Sequence, residues 1–115
     1  MGQTLKCLGQ VALAVAATEQ ELYAVPHGSE TVVSSLVICN RTSTDRTFRV
    51  SVDVGNDNAA GADAKDYVYF DTEVPANDTF IATVGLTVGP GDAINVYGSH
   101  AELTFSAWGR ESPIV

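Results

Sequence analysis

From Glu21 onward, short runs of alternating apolar and polar residues are separated by turn clusters roughly 10 residues apart, the pattern of a β-sandwich or barrel. Leu22–Val25 reads as a strand, closed by the turn Pro26-His27-Gly28-Ser29. Thr31–Asn40 reads as a long strand with Val33, Val37 and Cys39 on one face and Val32, Leu36 and Ile38 on the other. Two apolar faces predict a central strand or one covered by a neighbouring subunit. After the turn Arg41–Asp45, Thr47–Val54 alternates cleanly, with Phe48, Val50, Val52 and Val54 inward and Arg49, Ser51 and Asp53 outward. Gly55–Asp66 is a polar loop of small residues that belongs at a surface or an interface.

Tyr67–Asp71 is a short aromatic strand, and Val74-Pro-Ala-Asn77 turns the chain into Thr79–Leu86. There Phe80, Ala82, Val84 and Leu86 alternate with Ile81, Thr83 and Gly85. Gly89-Pro-Gly-Asp92 is a strong turn signal, since glycine supplies positive φ and proline fixes its own. Ala93–Ser99 and Ala101–Trp108 form a hairpin about His100, with Leu103, Phe105 and Ala107 on one face and Glu102, Thr104, Ser106 and Trp108 on the other. Val11–Ala16 adds an eighth strand or a helical turn. The expectation is an all-β, antiparallel, jelly-roll-like sandwich of about seven or eight strands over residues 18–115. An apolar N-terminal arm over residues 1–17 lies against a neighbour.

Composition agrees with this reading and narrows the partners. Valine, threonine and isoleucine dominate over leucine and methionine, which suits pleated, half-buried surfaces. At 115 residues the chain holds a single domain. Fourteen acidic against six basic residues give a net charge of −8, which disfavours nucleic acid and anionic membranes as partners. The opening stretch has a single Lys6 and is interrupted by Gln10, so it is not read as a secretory signal, and Lys6 stands where a myristoylation site wants Ser or Thr. No run is long enough to span a membrane as a helix.

Catalytic and metal chemistry find little support. His27 and His100, the two histidines, fall in turns, and no nucleophile motif accompanies them, so no catalytic residue is expected. Asp53, Asp57, Asp63, Asp66, Asp71, Glu73 and Asp78 crowd the middle third without EF-hand spacing. They read as a solvated acidic rim, and no metal or cofactor is expected. The glycines are scattered over turns and strand ends, with no lysine placed to reach a phosphate. Asn40-Arg-Thr42 and Asn77-Asp-Thr79 match the glycosylation triplet but read as turns entering strands. Cys7 and Cys39 are too few for a disulfide framework or a four-ligand zinc site. Each is either a free cysteine or half of one bridge pinning the arm to the long strand. The candidate interface residues are Leu5, Leu8, Val11, Leu13 and Val15 on the arm, with Tyr67, Tyr69 and Trp108 among the aromatics.

Leu8-Gly-Gln10, LYAVPHGSETVVSSLVICNRT, FRVSV and YVYFDTEVPANDTFIATVGLTVGPGDAINVYGS together resemble a family of small structural proteins of tailed bacteriophages. The most specific pieces are Leu22–Pro26, Val37–Asn40 and the block from Pro75 to Asp92. These motifs carry packing and turns, so no catalytic residue transfers. The resemblance implies a β-sandwich virion component, assembled in the host cytoplasm as a homo-oligomer, with a trimer expected. Its first implied role is capsid decoration or cement, binding the major capsid protein. A tail, collar or fibre-attachment protein is the second, with tail proteins as partners. A carbohydrate-binding sandwich using Tyr67, Tyr69 or Trp108 as stacking platforms is the alternative from another class.

Overall fold

The structure, a computed structural model, describes residues 4–13, 15–55 and 64–114. Asp57, Asp63 and most of the Gly55–Asp66 loop lie outside the described residues, as does the start of the expected arm. Eight strands follow in order: β1 (Thr4–Ala12), β2 (Gln20–Ala24), β3 (Ser29–Asn40), β4 (Arg46–Asp53), β5 (Tyr67–Val74), β6 (Thr79–Val88), β7 (Ala93–Gly98) and β8 (Leu103–Pro113). A short 3-10 turn, Ala64–Asp66, leads into β5.

Two four-stranded antiparallel sheets form the sandwich: sheet A, ordered β1-β8-β3-β6, and sheet B, ordered β2-β7-β4-β5. First pairs with last, second with seventh, third with sixth and fourth with fifth, so the chain crosses between the sheets at His100, and β7 and β8 do not form the hairpin expected there. This is one long antiparallel ribbon rolled so that successive pairs alternate between sheets, the jelly roll expected from the strand pattern. The apolar N-terminal stretch supplies the eighth strand, placed at Thr4–Ala12 rather than Val11–Ala16. Much of the 1–17 segment is therefore an edge strand of sheet A, hydrogen-bonded to β8.

The core lies between the sheets, with Phe48, Leu36, Ile38, Ile94 and Leu103 fully buried. Each such side chain contributes about 1.5–3 kcal/mol on leaving water. Phe48 organises the centre, its ring 5.3 Å from Phe80, 5.8 Å from Tyr69 and 6.2 Å from Phe105. These tilted and edge-on approaches are the favoured geometries for aromatic pairs.

β3 departs from simple alternation. Thr31 and Val33 point inward, and so do Leu36, Ile38 and Asn40. The inward set changes parity because a bulge between Val33 and Ser35 inserts one extra residue against β8. The two apolar faces read from the sequence are thus one buried face whose phase shifts at Ser34. The strand is central, between β8 and β6.

β4 requires a correction at its end. Phe48 and Val50 are buried and Val52 packs against the core, but Val54 lies past the strand and is 71% exposed. Ser51 and Asp53, expected in solvent, are buried. They do face away from the core, and the 3-10 turn lies against β4 there, with Ser51 also flanked by Tyr67 of β5.

Two polar clusters tie the layers together. The buried Asn40 side-chain amide donates to the carbonyls of Thr44 (2.9 Å), Val74 (3.0 Å) and Pro75 (3.2 Å). Its oxygen accepts from the Thr42 amide and hydroxyl, locking the end of β3 to the β5–β6 turn. This burial supports the reading of Asn40 as a structural turn residue. At the opposite end, Tyr23 of sheet B donates its hydroxyl to Glu111 of sheet A at 2.5 Å and lies 2.8 Å from the Thr31 hydroxyl, while Lys6 pairs with Glu111 at 3.3 Å.

Close backbone approaches fix where side chains are absent. A Cβ at Gly9 would meet the Leu22 carbonyl oxygen at 2.2 Å, where β1 crosses β2, and one at Gly109 would meet the Val32 oxygen at 2.1 Å, beside the β3 bulge.

Candidate assembly interface

The register of sheet A brings together residues from all four strands that no stretch of sequence places side by side. On its outer face a complete row that carries Arg110, Leu5–Arg110–Val32–Thr87, is followed by three more that cross the sheet. These three are Cys7–Trp108–Ser35–Thr83, Gln10–Ser106–Val37–Ile81 and Ala12–Thr104–Cys39–Thr79. None of their positions carries a charge, in a chain whose net charge is −8. With strands about 4.8 Å apart and rows about 7 Å apart, this patch covers on the order of 400 Å². Depletion of charge is the compositional mark of an interface core.

The face has relief. Trp108 is 40% exposed, its indole N–H donating to the Ser106 hydroxyl at 2.9 Å, and Ile81 stands 66% exposed on the edge strand. Small side chains on β8 leave a shallow cleft of about 320 Å³ among Gln10, Val11, Ala12, Val37, Thr104 and Ser106, with Phe105 beneath. Apolar anchors beside a hollow are a setting in which a partner's side chain binds well.

Sheet B presents a different outer face. Arg49 lies over the rings of Phe70 (4.2 Å) and Tyr97 (4.4 Å), and its guanidinium bonds both carboxylate oxygens of Asp71 at 2.7 and 3.2 Å. This bidentate bond holds the Asp71 carboxyl below its ordinary range and raises the Arg49 pKa. Tyr67 meets Phe70 edge-on at 4.9 Å. The aromatic faces are already engaged by this chain's own cation.

The candidate residues chosen from sequence scatter over these surroundings. Leu8 and Leu13 are buried in this chain's core, and Val11 and Tyr69 pack against it. Leu8 turns inward because it is the extra residue of the β1 bulge. Leu5 (80% exposed) and Val15 (60% exposed) stand in solvent. Tyr67 and Trp108 lie on opposite sheets, so Tyr67, Tyr69 and Trp108 form no common platform. Val37, Ile81, Cys39 and the threonine and serine positions were missed as interface candidates. Their shared signal, uncharged outward positions on four strands, exists only once the register is known.

Both cysteines are free, each half-buried on sheet A. β8 lies between their strands, which sets β1 and β3 about 10 Å apart, beyond the roughly 7 Å Cα separation that a disulfide bridges. Among the described residues, no three histidines, cysteines or carboxylates gather as a metal site. His100 lies 3.2 Å from the Ser99 hydroxyl, which also accepts from the Thr47 amide.

No known family's sequence model matches this chain, and no curated protein matches it. Among solved structures it is similar to a pentameric capsid protein isolated from metagenomic phage sequences, with 20% identity over 92% of this chain and 61% of that one, at a TM-score of 0.32. It is also similar to a chain in the structure of infectious bursal disease virus, Gx strain, with a TM-score of 0.57 and 12% identity over 96% of this chain. This chain spans 31% of the length of that viral chain. What the second likeness shows is a shared fold, reached with little shared sequence.

Proposed function

We propose that this chain is a non-enzymatic structural subunit of a virus particle, and specifically a homo-oligomeric capsid decoration or cement protein that bridges neighbouring major capsid proteins. The uncharged three-row patch on the outer face of sheet A carries this reading. It is a surface on an acidic molecule where a partner docks without stripping water from charged groups, a cost that charged faces impose. The fold shared with a chain of a virus structure supports it, as does the phage-protein resemblance of the sequence. Leu5, on β1, and Val15, beyond its end, are proposed as added anchor points.

The experiment is to purify the particles and count this chain by quantitative mass spectrometry, then locate its density on the capsid. Decoration expects copies on the order of hundreds, following capsid symmetry, whereas a collar or tail location expects about a dozen. The smaller number would overturn the cement role, and absence from the particle would overturn the virion reading altogether.

A further inference from the structure

The sandwich has four edge strands, and three of them carry devices that discourage pairing with another chain. β1 bears Lys6 and a bulge at Leu8. β2 has five residues, Glu21 and a register shift. β5 has two register shifts, Asp71 at φ 50° and Glu73. Short length, bulges and charges are the usual means of blunting an edge. β6 lacks them over its first half. Its sequence TFIATVGLTV has neither charge nor proline, and its register against β3 is unbroken from Thr79 to Thr83, before the positive-φ Gly85.

We propose that β6 is where two copies of this chain pair, edge to edge and antiparallel across a two-fold axis near Ile81, joining their sheets A into one. A second copy is the fitting partner on three grounds. Each copy brings a charge of −8, so copies meet best along a strand without acids. Asp78 is the nearest carboxylate, its oxygen accepting from the Thr79 amide at 2.8 Å. An axis near Ile81 sets the two Asp78 residues about 20 Å apart, more than twice the Debye length of about 8 Å at physiological salt; parallel pairing would set them side by side. Ile81 then faces its own copy on the outer side and leaves solvent.

The third ground is area. One uncharged patch of about 400 Å² is half the roughly 800 Å² per partner of a stable interface, and pairing at β6 merges two such patches into a surface of that size. This third ground rests on the capsid reading; the first two do not.

Sedimentation equilibrium of the full chain tests the pairing. The expected mass is twice the 12.1 kDa of one chain, or an even multiple of it. Ile81→Lys should halve that mass while the chain still melts cooperatively, because the side chain is exposed in the single chain; the melting temperature should fall only by the stabilisation that pairing adds. Thr83→Lys, one outward position along, should do the same and covers the case in which Ile81→Lys fails to fold. In a Cys7→Ser, Cys39→Ser background, Ile81→Cys should form a covalent dimer with oxidised glutathione, two thiols becoming one disulfide as the oxidant is reduced to two glutathione thiols. A monomeric chain, an odd-numbered oligomer whose mass ignores both lysine variants, or no cross-link would overturn the proposal. Absence of the protein from virus particles would leave it standing.

Discussion

On the outer face of sheet B, Arg49 is clamped by Asp71 and stacked between Phe70 and Tyr97, and the 3-10 turn covers Ser51 and Asp53. On the outer face of sheet A, Trp108, Val37 and Ile81 stand among hydroxyls in rows that hold no charged residue. One face is finished by its own chain, and the other is the one proposed to meet a neighbour. Exposed aromatic residues alone would have pointed to sheet B. Whether the polar groups are already engaged is what separates the two.

The largest effects should come from the backbone contacts that shape sheet A. Gly109→Ala places a methyl group on the Val32 carbonyl, and Gly9→Ala places one on that of Leu22. Each should cost about 3 kcal/mol, lowering the melting temperature by about 12 °C at this chain length. Gly85→Ala, where a Cβ meets open space at φ 64°, should cost about 1 kcal/mol. Equal losses at all three positions, measured by calorimetry, would contradict the close approaches.

Next comes a double dissociation between the faces. Arg49→Ala should lower stability by about 1 kcal/mol through its two ring stacks and leave assembly intact. Trp108→Ala should change stability by less than about 0.5 kcal/mol and reduce particle binding at least tenfold. Binding to undecorated capsids and thermal melts of both variants give the comparison, and the reverse pattern would exchange the roles of the faces.

A smaller effect tests the seam between the sheets. Burial, reinforced by the hydrogen bond to Glu111, pushes the Tyr23 pKa up to about 12 from an ordinary 10.0. A group whose folded pKa is raised contributes stability that is fully present below pH 10 and is lost as pH rises through about 12. Tyr23→Phe should remove that alkaline loss from a pH series of melts. Glu111 has the opposite sign. The Tyr23 bond lowers its pKa, with Lys6 adding to the effect, so its contribution is present above about 4.5 and is lost as pH falls through the depressed value. The smallest effect concerns Cys7 and Cys39, whose thiols should react slowly with a maleimide in the free protein and become protected on assembly, as read by intact mass.

Most strands were legible because a half-buried sheet writes its burial as alternation. Thr79–Leu86 and Ala101–Trp108 show this, their inward sets agreeing residue for residue with the structure. Phase was harder. At Ser34 one inserted residue converts a single buried face into two apparent ones, and alternation alone cannot distinguish the cases. Asp53 was read as exposed because the turn covering β4 comes from a separate segment, and Val54 as inward although β4 ends at Asp53. Leu8, Leu13 and Tyr69 read as partner contacts because burial within a chain and burial between chains use the same residue types. The uncharged patch was not legible at all, since its rows join residues from β1 and β8 at opposite ends of the chain.

The pairing of first strand with last sets an order of folding. β4 and β5 are neighbours in sequence and in sheet B, whereas β1 is hydrogen-bonded to β8. Long loops must close before such distant pairs form, so they come late. Pulse-labelled amide exchange should find β4 and β5 protected first and β1 last. Until β8 has been synthesised, the rows through Thr104, Ser106 and Trp108 do not exist, and an incomplete chain lacks the face proposed to join a particle.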